Sequence, residues 1–228
     1  MKQHIPFEGF TQQTFDFLWE LQLHNERPWF KEHKETFDKA VDQPFRALAA
    51  EVTDLMNDRH QELGLQVHVS RIYRDARRLF GRGPYKDHLW FSLQRDDHAL
   101  GPMFWFEINV ENYSAGMGQW DRTPQEAALM RQRMAAHPGE FEAVVQALPE
   151  DYRLWGEEYK RPKGDLGPVL NPWYNRKTLS VGKDDPFGKA LFTPELPALL
   201  ADFYDKLLPL WEIFTQIHQL AQEQEDRL

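Results

Sequence analysis

The sequence predicts an α+β fold in which an antiparallel β-meander is flanked by N-terminal and C-terminal α-helices. Apolar residues recur at helical spacing before residue 60 and again after residue 123. Between these regions apolar and polar residues alternate, which is typical of half-buried strands. The order helices, strands, helices indicates α+β. An apolar content of 41% and an aromatic content of 14% can form a sizeable core, so global disorder is not expected.

The chain is predicted to form one domain, residues 1–228, because it shows no internal repeat, low-complexity tract or linker-like segment. It has no cysteine, which fits a reducing cytosol, and we expect a cytoplasmic location. The N-terminus lacks the apolar core of a secretory signal. No apolar run approaches the roughly 18 residues of a membrane-spanning helix, so no membrane is expected. The oligomeric state is left open.

Three helices are predicted in the first 60 residues. Thr11 is a candidate N-cap of the first, and Phe10 is placed to pack against Phe15 four positions into it. Pro28 fits the first turn of the second helix. A third helix is expected to restart at Gln43-Pro44 and to carry apolar residues at helical spacing up to residue 56.

Strands are predicted where the apolar period changes to two. Residues 65–69 and 89–93 alternate, and residues 103–110 are the most strand-like run of the chain. A loop at Asp96-Asp97 precedes this run, and a turn at Glu111-Asn112 leads into a further strand, residues 113–120. The short connections between the last three strands indicate an antiparallel meander.

Helices return at Thr123, where Thr123 and Glu126 form a capping box with a proline at the first helical position. Another helix is predicted after residue 139. Residues 149–188 are rich in proline, glycine and aromatics, and they are too many for an idle loop, so we expect packed structure and part of a site there. The last helix starts at Thr193, and Pro209 is expected to kink it.

Residues 71–88, which we call the basic segment, contain six Lys/Arg and two Asp. The net charge of this segment is therefore +4, whereas that of the whole chain is −9, so the residues outside the segment have a net charge of −13. Arginine binds carboxylates and phosphates through two parallel hydrogen bonds, and the segment's Gly-rich turn exposes backbone N–H groups. Two interpretations stay open. The cations converge on an anion, or they pair singly with surface acids, which is the commoner arrangement.

Further candidates lie outside this segment. His33 follows Phe30 by three residues, so it either packs on that apolar face or transfers protons. Residues 159–164 and 175–177 are short basic loops that would give a shared cleft a positive lining. Glu107 is favoured as an ion-pair partner for an arginine, with a carboxylate facing the cleft as the alternative. The nine histidines show no metal-ligand spacing, so no metal site is predicted and the cofactor is left unknown.

Taken in order, these segments resemble the family catalogued as domain of unknown function 2461. The matching residues are Phe7, Glu8, Gly9, Phe10, Thr14, Phe15, Asn25, Arg27, Trp29, Phe30, His33, Lys34, Arg71, Ile72, Tyr73, Arg74, Asp75, Arg77, Pro84, Tyr85, Lys86, His88, Gly116, Gly118, Trp120, Lys160, Arg161, Pro162, Lys163, Gly164, Arg176 and Lys177. The resemblance covers nearly the whole chain and implies one domain, but it implies no activity. The chain departs from the family pattern at residues 78–83 and at His24-Asn25.

We expect a protein that binds an anionic or phosphorylated small molecule, and turns it over if it is an enzyme. The predicted binding residues are Arg27, Arg71, Arg74, Arg77, Tyr85, Lys86, Lys160, Arg161 and Lys163, and the predicted proton-transfer residues are His33 and His88. The alternative is a non-catalytic module that docks an acidic partner protein through the same basic surface. The acidic net charge argues against nucleic-acid binding.

Overall fold

The computed structural model describes residues 5–75, 77, 79, 81–95, 101–186 and 188–227. Arg78 of the basic segment and the predicted loop residues Asp96-Asp97 lie outside these ranges. The protein is α+β, as predicted, with N-terminal and C-terminal helices flanking an antiparallel sheet. Within the described ranges, no helix combines the length and apolarity needed to cross a membrane.

The helices are α1 (Gln12–Leu23), α2 (Arg27–Glu32), α3 (Lys34–Thr36), a π-helical segment (Phe37–Asp42), α4 (Gln43–Arg59), α5 (Pro124–Ala136), α6 (Pro138–Gln146), α7 (Gly167–Tyr174), a 3-10 helix (Lys189–Phe192) and α8 (Leu196–Glu225). The strands are β1 (Gln66–Val69), β2 (Leu89–Gln94), β3 (Met103–Ile108), β4 (Asn112–Gln119), β5 (Arg153–Trp155) and β6 (Leu179–Pro186).

The six strands form one sheet in the order β1-β2-β3-β4-β6-β5. The predicted meander β2-β3-β4 is confirmed, and β1 pairs with β2 so that Val67 lies opposite Leu93. The last two strands were not predicted. β5 has only three residues, and β6 contains a glycine and three charged residues, so neither shows the alternation of a half-buried strand.

Contacts between Cα atoms divide the chain into two compact units. Unit 1 comprises Met1–Asp97, Phe106–Ala115 and Asp184–Asp202, and unit 2 comprises His98–Trp105, Gly116–Lys183 and Phe203–Leu228. The single-domain organisation stays a prediction, and each unit is described by itself.

The core of unit 1 is built on aromatic rings. Phe45 of α4 lies 5.6 Å from Phe91 of β2 and 6.2 Å from Phe106 of β3, measured between ring centroids. All three side chains are fully buried. Phe10 lies 6.1 Å from Phe15, so the predicted contact across the start of α1 is confirmed. The large buried area of these rings accounts for much of the hydrophobic stabilisation of this unit.

The predicted start of the third helix at Gln43-Pro44 is confirmed, because α4 begins at Gln43 with Pro44 in its first turn, but the π-helical segment before it was not predicted. Asp42 keeps helical dihedral angles, and the π-helical segment leads directly into α4. Gln43 donates its backbone N–H to Asp38, five residues earlier. Pro44 has no N–H and its ring would clash with a carbonyl four residues earlier in an α-helix, so the wider π turn accommodates it without a break.

The core of unit 2 is organised around Phe104 of β3. Its ring lies 5.0 Å from Tyr204 and 5.6 Å from Trp211, both on α8. The Tyr204 hydroxyl donates to the carbonyl of Trp105 at 2.9 Å, so this buried polar group is satisfied. Pro209 lies inside α8, whose kink stays a prediction.

Candidate functional site

The exposed arginines of the basic segment point to solvent. Arg77 is 88% exposed, and its Nη2 lies 2.7 Å from Asp75 Oδ2. Arg71 and Arg82 are also exposed. The charge of Arg77 is therefore matched locally, by an aspartate of its own segment.

Arg74 differs because its side chain is only 13% exposed. Its Nε donates to the carbonyl of Tyr85 at 2.7 Å, and its Nη2 donates to Asp87 Oδ1 at 3.1 Å. Arg74 N also donates to the carbonyl of Pro84 at 2.8 Å. Arg74 therefore ties the two arms of the basic segment together while placing a positive charge beside Lys86.

Tyr85 packs in the core. It is 4% exposed, and its ring stacks on Phe30 at 4.1 Å. Its backbone N–H donates to Asn25 Oδ1, and Asn25 Nδ2 donates back to its carbonyl, both at 2.9 Å. A Cβ at Gly83 would lie 2.3 Å from Asn25 Cγ, so this turn requires glycine. The Tyr85 ring fixes the position of its neighbour, Lys86.

Lys86 is half buried, and its ammonium lies 5.8 Å from the centroid of the Trp90 ring. Burial lowers the pKa of Lys86, and the charge of Arg74 lowers it further, while Glu107 opposes both. Among the residues described, no carboxylate lies within ion-pair distance of this ammonium. Lys86 is therefore a partly desolvated cation beside another cation.

Asp87, His88 and Glu107 lie near Arg74 and Lys86. Asp87 Oδ1 accepts from Arg74 and also from His88 Nδ1, which lies 3.0 Å away. Burial alone would raise the pKa of Asp87, but the hydrogen bond from His88 contributes to a net lowering. Burial raises the pKa of Glu107. No arginine in the described ranges pairs with Glu107, so the pairing expected from the sequence is not found there.

We call this cluster the Lys86 site. It consists of Arg74, Lys86, Asp87, His88 and Glu107, all in unit 1. Its two carboxyl groups have pKa values moved in opposite directions, with Glu107 raised by burial and Asp87 lowered. Such a separation is the usual basis for an acid and a base acting side by side.

His33 lies apart from the Lys86 site. Its ring stacks on Trp29 at a centroid distance of 4.1 Å, and its Nδ1 donates to the Trp29 carbonyl at 2.8 Å. His33 lines a groove of about 200 Å³ together with Asp16 and Glu20. Arg27 is exposed at the start of α2. The charge of Arg27 acts on Tyr85, the residue before Lys86.

The predicted basic loops of unit 2 do come together. Asn175 Oδ1 accepts from the backbone N–H of Lys163 at 2.7 Å, and the Asn175 carbonyl accepts from Tyr159 N at 2.9 Å. Lys163 Nζ lies 4.9 Å from the centroid of the Tyr159 ring. Lys160 and Arg161 are exposed in the same loop. The loops predicted at residues 159–164 and 175–177 are therefore parts of one basic cluster.

Sequence reasoning missed the centre of that cluster, Arg122, which is only 9% exposed. Its Nε donates to the carbonyl of Lys177 at 2.8 Å, and its Nη2 donates to that of Arg176 at 2.5 Å. Burial lowers the pKa of Arg122 to about 10, and the charge of Arg131 contributes to the lowering. A single arginine before a helix carries no sequence signal of burial, so no pattern could have identified it.

Arg131 and Arg176 surround this group. Arg131 Nη1 donates to the Tyr159 hydroxyl at 2.8 Å, and its guanidinium lies 5.2 Å from that ring. Arg176 donates to the carbonyl of Gly156 at 2.7 Å and pairs with Glu158 at 2.9 Å. We call Arg122, Arg131, Tyr159, Lys163 and Arg176 the Arg122 site.

Both sites lie within the part of the chain that matches a known family. A family model described as "Conserved hypothetical protein (DUF2461)" matches residues 13–212. No curated protein matches the chain. Among the described residues, no group of three or more histidine and carboxylate side chains could hold a metal ion.

Proposed function

The chain belongs to the DUF2461 family, and we propose that it binds an anionic or phosphorylated small molecule at the Lys86 site. The observation that carries the proposal is the half-buried, unpaired ammonium of Lys86 beside the guanidinium of Arg74. Burying a cation beside another cation is unfavourable, and an anion placed between them would relieve the repulsion.

The other groups of the site support this reading. Asp87 is already engaged by Arg74 and His88, so it does not neutralise Lys86. Burial raises the pKa of Glu107 and so favours its neutral form, which weakens its competition with an incoming anion. The ring of Trp90 beside Lys86 adds an apolar surface on which the rest of a ligand could lie.

His88 is the candidate for proton transfer if the ligand is turned over. Its Nδ1 donates to Asp87, which orients the ring and leaves Nε2 for the ligand. The side chain is 30% exposed, so it is accessible from solvent. His33, predicted for the same role, lines a separate groove and does not enter this proposal.

Binding can be tested by calorimetry with inorganic phosphate and pyrophosphate near neutral pH, using the wild-type chain and Lys86→Met. One charge-assisted hydrogen bond contributes about 1.5–3 kcal/mol, so we expect Lys86→Met to weaken binding roughly tenfold or more at this site. The matched control is Lys39→Met, which removes the same charge from an exposed pair in unit 1. Equal affinity at this site in both variants would refute the proposal.

The alternative is a non-catalytic module that docks an acidic partner protein. The exposure of Arg27, Arg71 and Arg77 favours it, because these side chains are open to a macromolecular surface. A partner bound by exposed charges should be lost at high salt. Arg71→Ala combined with Arg77→Ala should then abolish partner binding without changing phosphate affinity. Lys86→Met should instead weaken phosphate binding at the Lys86 site and leave partner binding unchanged.

A further inference from the structure

Among the described residues, the buried guanidinium of Arg122 in unit 2 has no carboxylate in direct contact. The guanidinium of Arg122 is bonded to two backbone carbonyls, which are neutral acceptors. Its third nitrogen, Nη1, is buried and has no hydrogen-bond partner among the described residues. Buried charges in proteins are normally paired or fully hydrogen-bonded, because the loss of hydration is large. Arg122 therefore departs from the usual arrangement.

The nearby acids are engaged elsewhere. Glu126, whose charge acts on Arg122, accepts from His218 Nδ1, Gln119 Nε2 and the backbone N–H of Thr123, each at 2.6 Å. Glu158 pairs with Arg176 at 2.9 Å. Glu157 pairs with Lys177. The acids of this neighbourhood thus form bonds of their own, and none is a hydrogen-bond partner of Arg122.

Other cations gather instead. The charge of Arg131 acts unfavourably on Arg122, and both Arg131 and Lys163 lie against the Tyr159 ring, at 5.2 and 4.9 Å. Arg176 Nε is a second buried guanidinium nitrogen without a hydrogen-bond partner in the described part of the chain. Two unsatisfied donors from neighbouring arginines are suited to oxygen atoms that carry negative charge.

We infer that the Arg122 site binds a small oxyanion, a carboxylate or phosphate group, which supplies the missing counter-charge and accepts from Arg122 Nη1. Arg131 and Arg176 would contribute further positive charge to the same group. The exposed Lys160, Arg161 and Lys163 would attract the anion to this part of the surface. The sequence analysis assigned the loop lysines to one shared cleft, whereas here they serve a separate site centred on Arg122.

This inference does not depend on the proposed function. It concerns different residues in the other compact unit, so either site can be present without the other. A purely structural role for Arg122, holding residues 176 and 177 through their carbonyls, makes a different prediction. It requires no bound anion, and it leaves Arg131 and Lys163 without influence on anion affinity.

The test uses the full-length chain carrying Lys86→Met, which weakens the Lys86 site, and measures binding by calorimetry with inorganic phosphate and separately with citrate. We expect one binding event with at least one of these probes. Adding Arg131→Met and Lys163→Met should weaken it roughly tenfold or more, because two cations are lost. Lys206→Met, an exposed lysine of unit 2, is the matched control and should leave the affinity unchanged.

Arg122→Lys adds a second readout, because lysine keeps the charge but cannot supply the planar set of donors. If this variant folds, its affinity should also fall by roughly tenfold; if it does not fold, the Arg131→Met and Lys163→Met result decides alone. Absence of any binding in the Lys86→Met chain would overturn the inference. So would affinity in the Arg131→Met and Lys163→Met variant equal to that of the Lys206→Met control.

Discussion

The basic segment of unit 1 and the Arg122 site of unit 2 hold their positive charges in opposite ways. In the basic segment, Arg74 and Arg77 each pair with an aspartate of the same segment, Asp87 and Asp75. In the Arg122 site, the central guanidinium is bonded to backbone carbonyls. Among the described residues, Lys86 of the first region is a half-buried cation without a paired carboxylate, and Arg122 of the second is a buried one.

This difference shows that density of charge in the sequence is a poor guide to where charge is unsatisfied. Exposed pairs such as Arg77 and Asp75 are screened by solvent and contribute little to stability. A buried guanidinium is shielded from water, so its surroundings must satisfy it. Burial is a consequence of the fold, and it distinguishes the cations that need a partner or a ligand from those that solvent already satisfies.

The largest expected effect is on stability, and it tests whether Tyr85 of the basic segment serves packing or ligand binding. Tyr85→Ala should lower the free energy of unfolding by roughly 3–4 kcal/mol, because it removes a buried ring stacked on Phe30. Tyr85→Phe keeps the ring and should change stability by less than about 1 kcal/mol. Urea denaturation measures both. A loss of phosphate affinity in Tyr85→Phe, with stability retained, would instead assign the hydroxyl to ligand binding.

The next largest effect is the difference in stability loss between substitution of Arg122 and substitution of Arg77. Arg122→Met leaves the carbonyls of Lys177 and Arg176 without this donor, so we expect a loss of roughly 2 kcal/mol in the free energy of unfolding. Arg77→Met removes an exposed pair and should change it by less than about 0.5 kcal/mol. Chemical denaturation of the two variants under identical conditions checks this. Similar losses would remove the distinction between the two regions.

Elements with a strong local pattern were predictable from the sequence, and elements without one were not. The helices at both ends, the meander and the capping box at Thr123 follow from local periodicity and from short-range hydrogen bonding, so they were predictable. β5 and β6 were missed because three residues show no period and because charged residues interrupt the alternation. The π-helical turn before Pro44 was missed because proline is normally a helix breaker in sequence reasoning.

The sites were predictable to a different degree. The motif residues of the basic segment were identified, but which of their side chains are buried depends on residues distant in sequence. Asn25, for example, holds Tyr85 from 60 positions away, and this contact determines where Lys86 lies. Arg122 had no local signal at all. Side-chain charge is a property of the sequence, whereas its solvation is a property of the packed structure.

The Lys86 site should also show a pH dependence through Glu107, whose pKa burial raises above its ordinary value of 4.5. The folded protein then holds this proton more tightly than the unfolded chain. The resulting stabilisation is complete below the unfolded pKa and is lost as the pH rises through the raised folded pKa. Glu107→Gln stays neutral and should avoid that loss.

Urea denaturation across a pH series measures this difference. The stability of Glu107→Gln relative to wild type should increase as the pH rises from the ordinary pKa through the raised pKa and then level off. Each unit of pKa displacement corresponds to about 1.4 kcal/mol at the plateau. A difference that does not vary with pH would mean that burial does not raise the pKa of Glu107.

The smallest effect compares the two lysines that lie near aromatic rings. Burial lowers the pKa of Lys86, and the charge of Arg74 lowers it further, so the folded protein disfavours the charged form of this lysine. After allowance for solvent screening, Lys86→Met should raise the free energy of unfolding near neutral pH by roughly 0.3 kcal/mol. Lys163 is exposed, and its Nζ lies 4.9 Å from the centroid of the Tyr159 ring. Lys163→Met should instead lower the free energy of unfolding by roughly 0.5 kcal/mol.

Replicate denaturation curves at low ionic strength can resolve the sign of each change. Opposite signs would indicate that Lys86 is kept at a small expense of stability, as expected for a residue that serves a ligand. A loss of stability in Lys86→Met as well would mean that its contact with Trp90 outweighs the repulsion from Arg74. No unrelieved repulsion would then call for an anion at the Lys86 site, while the unpaired guanidinium of Arg122 would be unaffected.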